Sequence, residues 1–200
     1  ILLPTPSASA PPLPPSPMQT VGLGRPWRSV RSSRVPLDPP AIQANPDAIR
    51  AILQADIIVC GPGSLLTSVM PNMLVEGIRR AIDVSPALKV YVCNVATQHG
   101  ETDAFNVSDH YRTLTEHLKG SSPFDFVLAN SNTDAVLPEE WHSEPVKVDT
   151  VTLGRTRVIK ADVVAEEHRY RHDSKKLADA LIRLYYERNQ MTEAEPVAPA

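Results

Sequence analysis

A glycine-rich turn followed by hydroxyl side chains is the stretch of this sequence whose residue types could do chemistry. The apolar run 57–60 is too short for a helix and rich in β-branched residues, so it predicts a buried strand. The strand leads into Gly-Pro-Gly-Ser at 61–64, and Thr67 and Ser68 follow. In α/β proteins, ligands bind beyond the carboxyl ends of strands, where free backbone N–H groups favour anions. The stretch therefore predicts a phosphate held by the amides of the turn, with an ordinary strand-to-helix turn as the alternative.

Two further buried strands are predicted to end in polar residues. The runs 89–93 and 126–129 are followed by Asn94 and Asn130. Helical patterns separate the strands, and the order strand–helix–strand–helix–strand predicts a parallel sheet with right-handed crossovers. The three polar loops then lie along one edge of the sheet and indicate a binding site. Asparagine at a strand end is also a common turn former, so both interpretations stay open.

The loop 97–103 and the stretch before the last helix add charged groups. Glu101 and Asp103 are two residues apart, and such carboxylates could hold Mg²⁺ against a diphosphate. They could equally belong to a solvated loop that satisfies its own backbone amides. Arg171 suits bidentate recognition of phosphate, with a surface charge as the alternative.

The elements that must position these residues are predicted from hydrophobic periodicity and capping. Helices are expected at 46–54, at 72–83, from Val107 to Leu118 and at 174–188, the last with Asp173 as its N-cap. Short strands are expected at 146–148 and 157–159. The predicted fold is α/β, a Rossmann-like parallel sheet with flanking helices.

Composition narrows the function classes. A hydrophobic content of 42% with 22% charged residues is typical of a soluble globular protein, and the net charge of −3 argues against a nucleic-acid partner. No apolar stretch is long enough to span a membrane, and two cysteines are too few for a disulfide framework, which favours a reducing cytoplasm. We expect a disordered Pro/Ser-rich tail and basic linker at 1–34, an α/β domain at 35–190 and a disordered tail at 191–200.

Four stretches together resemble one family: 56–72, 89–94, 97–103 and 171–173. In that order they resemble the YvcK-like proteins, called gluconeogenesis factors (UPF0052), which share a fold with the CofD 2-phospho-L-lactate transferases of coenzyme F420 synthesis. The resemblance implies a non-enzymatic regulator of cell shape and gluconeogenic growth that binds a nucleotide sugar of the UDP-N-acetylglucosamine type. The alternative that it implies is an Mg²⁺-dependent transferase, which moves a phospholactyl group from a nucleotide diphosphate donor.

The sequence also departs from the family pattern. His99 and Ala104 stand where proline and glycine are expected. Family members begin with a strand and a Gly-Gly-Gly-Thr-Gly loop, and residues 1–45 contain nothing similar. We therefore expect the chain to correspond to the C-terminal portion of such a protein, with an exposed sheet edge and part of the nucleotide site missing. A homo-oligomer is left open.

The predicted site combines residues at the strand ends, hydroxyl side chains and residues that the resemblance implies. The nucleotide- and phosphate-binding residues are Gly61, Gly63, Ser64, Thr67, Ser68, Asn94, Thr97, Gln98, Asn130 and Arg171. The metal-binding candidates, needed only on the transferase interpretation, are Glu101 and Asp103. The expected ligand is a UDP-sugar or another nucleotide diphosphate.

Overall fold

A four-stranded parallel sheet forms the centre of the protein. The computed structural model describes residues 36–38, 41–119, 122–134, 136–149 and 152–193. The strands lie side by side in sequence order and are β1 (Ile57–Cys60), β2 (Leu88–Val92), β3 (Phe126–Asn130) and β4 (Arg157–Ala161). All three pairings are parallel, so the four carboxyl ends meet at one edge. The predicted α/β, Rossmann-like sheet with flanking helices is confirmed.

Three of the five described helices begin at a side-chain cap. They are α1 (Pro46–Leu53), α2 (Met70–Leu74), α3 (Glu76–Val84), α4 (Val107–His117) and α5 (Ser174–Glu193). Asn45 caps α1 by accepting from the amide of Asp47 at 2.8 Å. Asn106 and Asp109 form a reciprocal capping box at the start of α4. Asp173 accepts from Lys176 N at 2.8 Å, which confirms it as the cap of α5.

The two faces of the sheet are buried against different helices. Tyr91 and Val127 face a core that includes Met70 of α2 and Leu114 of α4. Neighbouring strand residues such as Val90 point the other way, into a second core shared with α5. This alternation is the period of two expected of a strand that is covered on both sides.

Some predicted elements differ from the structure. The single helix predicted at 72–83 is wrong, because Val75 adopts extended backbone (φ −67°, ψ 111°) between α2 and α3. A π-helical turn, Leu65–Val69, precedes α2. Gly77 at the start of α3 packs so tightly on Ala44 that a Cβ there would lie 2.7 Å from the Ala44 Cβ. This contact joins residues that are distant in sequence, and it is compatible with two short helices at an angle. The hydrophobic periodicity of the sequence gives no sign of it.

The strand predicted at 146–148 is also wrong. Val146 is buried and its amide donates to Val95 O at 3.0 Å, but beside it only an isolated bridge, Ala96 with Pro145, forms. The alternation of apolar residues at 146–148 reflects the burial of their side chains and not strand pairing through a ladder of hydrogen bonds. Helix α5 continues to Glu193, past its predicted end. The expected tail and linker at 1–34 lie outside the described residues, as do 194–200.

In the described part of the chain, no helix combines the length and the apolar character needed to cross a membrane.

Candidate functional site

A cleft of about 590 Å³ opens at the carboxyl ends of β1 and β2. Its lining includes the turn after β1 and the loop after β2, together with two segments from later in the chain. The predicted site residues that line it are Gly63, Ser64, Asn94, Thr97, Gln98 and Arg171. The unpredicted ones include Trp141, Ser143, Tyr170 and His172. The cleft therefore lies where ligands bind in parallel α/β sheets.

The backbone of the turn after β1 requires glycine at its first position. Gly61 has φ +88°, and a Cβ built there would lie 2.8 Å from Val92 O. A side chain would therefore combine backbone strain with a collision against β2. Two residues later, the amide of Gly63 donates to Asn94 Oδ1 at 3.2 Å. That bond ties the loop after β1 to the loop after β2.

Glu101 holds the start of the π-helical turn. Its carboxylate accepts from Ser64 Oγ at 2.7 Å and from the amide of Leu66, also at 2.7 Å. Ser64 Oγ in turn accepts from Thr67 N at 3.2 Å, and the two hydroxyls are hydrogen-bonded to each other. The groups predicted to receive a phosphate are thus largely satisfied within the protein. Glu101 serves as a cap for the turn, which the sequence did not indicate.

The remaining carboxylate of the 97–103 loop has a different set of partners. Asp103 accepts from the amide of Gly100 at 2.9 Å and contacts His99 Nδ1 at 3.1 Å. Glu101 and Asp103 share no partner, and across the described residues no group of three His, Cys, Asp or Glu side chains could hold a metal. The bonds of Asp103 match the alternative of a loop that satisfies its own amides, whereas those of Glu101 reach the turn after β1. A role of the two carboxylates in holding Mg²⁺ stays a prediction.

Thr97 and Asn130 have structural partners. Thr97 is buried and forms a reciprocal pair with Glu144, accepting from its amide at 2.9 Å and donating its own at 2.8 Å. Asn130 is buried at the end of β3, where its Oδ1 accepts from Val163 N at 3.2 Å. These bonds fix the loops around the cleft, and Asn130 does not line it.

Three other predicted residues lie beside the cleft rather than in its lining. Gly61 and Ser68 line a smaller cavity of about 360 Å³ next to β1, whose other walls are mainly apolar. Thr67 contacts Ser64 through its hydroxyl. Their predicted role in binding a nucleotide stays a prediction.

Arg171 brings a positive charge to the cleft. Its guanidinium lies over the ring of Tyr170, 5.1 Å from the centroid. Its backbone is fixed by bonds to His168 O at 2.8 Å and from Ala165 N at 2.9 Å. Among the described residues, no carboxylate forms a salt bridge with Arg171. An arginine that is held in place without an acidic partner is ready to bind an anion.

Aromatic side chains stand next to this arginine. Trp141 lies against Tyr170 with ring centroids 4.6 Å apart at 76°, an edge-to-face contact. We call Trp141, Tyr170 and Arg171 the aromatic wall, and Gly63, Ser64 and Asn94 the turn wall. Tyr170 could have been suspected from its place beside Arg171. Trp141 gave no signal, because a 3₁₀ turn and distant contacts bring it to the cleft.

Burial shifts the pKa values of two thiols and one imidazole near the cleft. Burial raises the pKa of Cys60 to about 12 and likewise that of Cys93 to about 12. Both thiols therefore stay protonated at neutral pH, which argues against thiolate chemistry. Burial also lowers the pKa of His172, whose Nε2 donates to Cys93 O at 3.2 Å.

Comparisons with known proteins agree with this fold. Residues 24–168 match the family model described as 2-phospho-L-lactate transferase CofD. A putative gluconeogenesis factor of Thermotoga maritima is 42% identical over 161 residues, which cover 75% of this chain and 50% of that protein. The gluconeogenesis factor of Bacillus subtilis is 36% identical over 170 residues, or 78% of this chain and 51% of that one.

A solved structure matches as well. A crystal structure of a UPF0052 family member from Bacillus halodurans superposes with a TM-score of 0.63 at 38% identity, covering 70% of this chain and 47% of that chain. The chain thus spans about half the length of the relatives it matches. The resemblance of the four motifs to the gluconeogenesis factors is confirmed. The chain belongs to the CofD family, and the relatives that it matches are YvcK-like gluconeogenesis factors.

Proposed function

We propose that the cleft binds a nucleotide sugar of the UDP-N-acetylglucosamine type, and that the protein is a regulator of gluconeogenic growth and cell shape rather than a catalyst. The observation that carries the proposal is Arg171, a positioned arginine in the cleft lining with no salt-bridge partner among the described residues. A guanidinium donates two parallel hydrogen bonds to phosphate oxygens, so a diphosphate is the natural occupant.

The turn wall supplies neutral donors beside this charge. Asn94 uses its Oδ1 to accept from Gly63, and its Nδ2 has no hydrogen-bond partner within the described residues. The amide nitrogen can therefore donate to a ligand in the cleft. One fixed cation with a few neutral donors suits a nucleotide sugar, whose two phosphates carry one negative charge each. The names of the relatives, gluconeogenesis factors, support the regulatory setting.

The geometry favours binding over turnover. Both carboxylates of the 97–103 loop are engaged within the protein, and both nearby thiols have a raised pKa. These carboxylates and thiols, which lie beside the cleft lining, are therefore not presented as bases or nucleophiles. The alternative, an Mg²⁺-dependent phospholactyl transferase with a nucleotide diphosphate donor, is supported by the family description. On that alternative, Glu101 and Asp103 stay the candidate ligands that would hold Mg²⁺ together with phosphate oxygens of the donor.

Calorimetric titration with UDP-N-acetylglucosamine, with and without Mg²⁺, tests the proposal. We expect saturable binding that does not require Mg²⁺ and that weakens at least about tenfold in Arg171→Ala, since a charge-assisted bidentate pair is lost. Arg183→Ala, which removes an exposed arginine of α5, is the matched control and should bind like the wild type.

Two outcomes would contradict the proposal. Equal affinity in Arg171→Ala and the wild type would show that the arginine does not contact the ligand. Mg²⁺-dependent release of a nucleoside monophosphate from a phospholactyl donor would identify the transferase instead.

A further inference from the structure

Trp141 presents an aromatic surface to the cleft. It ends the 3₁₀ turn Glu139–Trp141, and the next residue, His142, has a left-handed backbone (φ 48°) that ends the turn there. Trp141 is 42% exposed although it is among the largest apolar side chains of the protein. Because Trp141 also lines the cleft, its exposed ring surface is available for contact with a planar group of a ligand.

The order of the three side chains in the aromatic wall determines which of them is open to a ligand. Tyr170 lies between the other two, with the Trp141 ring 4.6 Å away on one side and the Arg171 guanidinium over its face at 5.1 Å. One face of Tyr170 is therefore covered by the guanidinium, whereas Trp141 retains exposed surface. An anion bound at Arg171 would place its attached groups within reach of that surface.

We infer that Trp141 is the stacking subsite for the nucleobase of a nucleoside diphosphate whose phosphates are bound by Arg171. The inference rests on the proposed function and deepens it, because it assigns the nucleobase and the phosphates of the ligand to different residues of the cleft. A flat base gains stacking energy on an aromatic ring, and the gain depends little on which base is present. The alternative is that Trp141 serves only to pack Tyr170 and thereby to position Arg171.

Three probes separate these roles: UDP, UDP-N-acetylglucosamine and inorganic diphosphate. In Trp141→Leu we expect UDP and UDP-N-acetylglucosamine to bind about tenfold more weakly, because stacking on one base is lost. The affinity for inorganic diphosphate should stay unchanged. Trp141→Phe keeps a ring and should recover most of the loss. Tyr186→Leu removes an exposed aromatic residue on α5 and is the matched control.

Fluorescence provides a second readout. The chain has two tryptophans, so a Trp27→Phe background leaves Trp141 as the sole emitter. UDP should quench this emission in proportion to occupancy, and inorganic diphosphate should not. Far-ultraviolet circular dichroism of each variant confirms that it is folded.

Each other outcome overturns the inference in a distinct way. Equal weakening of all three probes would make Trp141 a packing residue for Arg171. Weakening of UDP-N-acetylglucosamine alone would assign the sugar, not the base, to Trp141. Unchanged UDP affinity in Trp141→Leu would remove the subsite and leave the proposed function standing. If none of the probes binds the wild type, the proposed function falls and the subsite with it.

Discussion

The turn wall and the aromatic wall line one cleft but differ in how their polar groups are used. In the turn wall, the Gly63 amide, the Ser64 hydroxyl and the adjoining Leu66 amide all bond within the protein. In the aromatic wall, the Arg171 guanidinium rests on an aromatic ring and forms no salt bridge with any described carboxylate. Apart from Asn94 Nδ2, the polar groups of the first wall are thus satisfied within the protein, whereas the second wall is open.

This difference separates the residues that shape the cleft from those that could recognise a ligand. A motif of glycines and hydroxyls after a strand resembles an anion-binding loop, yet its donors here mainly hold the loop itself. Apart from Asn94 Nδ2, the groups with unused binding capacity come from residues 141 and 171, far from the motif in sequence. Changes in the turn wall should therefore affect mainly stability, and changes in the aromatic wall mainly affinity.

The largest expected effect is that of Gly61→Ala. The new Cβ would meet Val92 O at 2.8 Å, and φ +88° is strained for alanine. Together these should lower the free energy of unfolding by about 2–4 kcal/mol. Urea denaturation measures the loss, and Gly154→Ala is a control, because it also has positive φ but a Cβ there meets no atom within 4 Å. Equal losses in the two variants would mean that backbone strain alone, and not the contact with β2, makes glycine necessary.

Glu101→Ala should have the next largest effect. It removes the acceptor of both Ser64 Oγ and Leu66 N, and unsatisfied donors should lower the free energy of unfolding by about 1–3 kcal/mol. Glu101→Gln keeps an acceptor oxygen and should lose less. Thermal unfolding of both variants provides the measurement. If both variants melt like the wild type, the turn wall is not held by Glu101, and the contrast between the walls fails.

The smallest effect concerns pH. Burial lowers the pKa of His110 and of His172 from 6.5, so both stay neutral in the folded protein and take up protons on unfolding. The unfolded chain then binds more protons below about pH 6.5, and the free energy of unfolding falls as the pH decreases through that value.

Urea midpoints at pH 7.5 and 5.5 measure this effect. His172→Gln can keep a donor for Cys93 O and should reduce the pH dependence. A pH dependence that is the same in the wild type and in His172→Gln would exclude His172 as a contributor.

Much of the fold could be predicted because it depends on local signals. Strand β1 follows from a β-branched apolar run, and α4 follows from an Asn106 cap with helical spacing behind it. The break at Val75 could not be predicted, because the periodicity of α2 and α3 is continuous, and the contact of Gly77 with Ala44 that fits the break involves a distant part of the chain. Local sequence carries no information about such a partner.

The site shows the same division. Ser64 and Asn94 were found because they directly follow strands, and parallel strands bring their ends together. The contacts of Glu101 were not predicted, because two carboxylates two residues apart indicate a metal site as well as they indicate a loop that satisfies its own amides. Trp141 was missed because its place in the cleft depends on Tyr170, a distant residue in the sequence.

The break at Val75 also limits the electrostatic field at the cleft. Peptide dipoles add up only along a continuous helix axis, and the helical stretch that starts at the turn ends at Leu74. The carboxylate of Glu101 already lies against the positive end of that short stretch. A ligand is then attracted mainly by the point charge of Arg171, so its affinity should decline steeply as ionic strength rises.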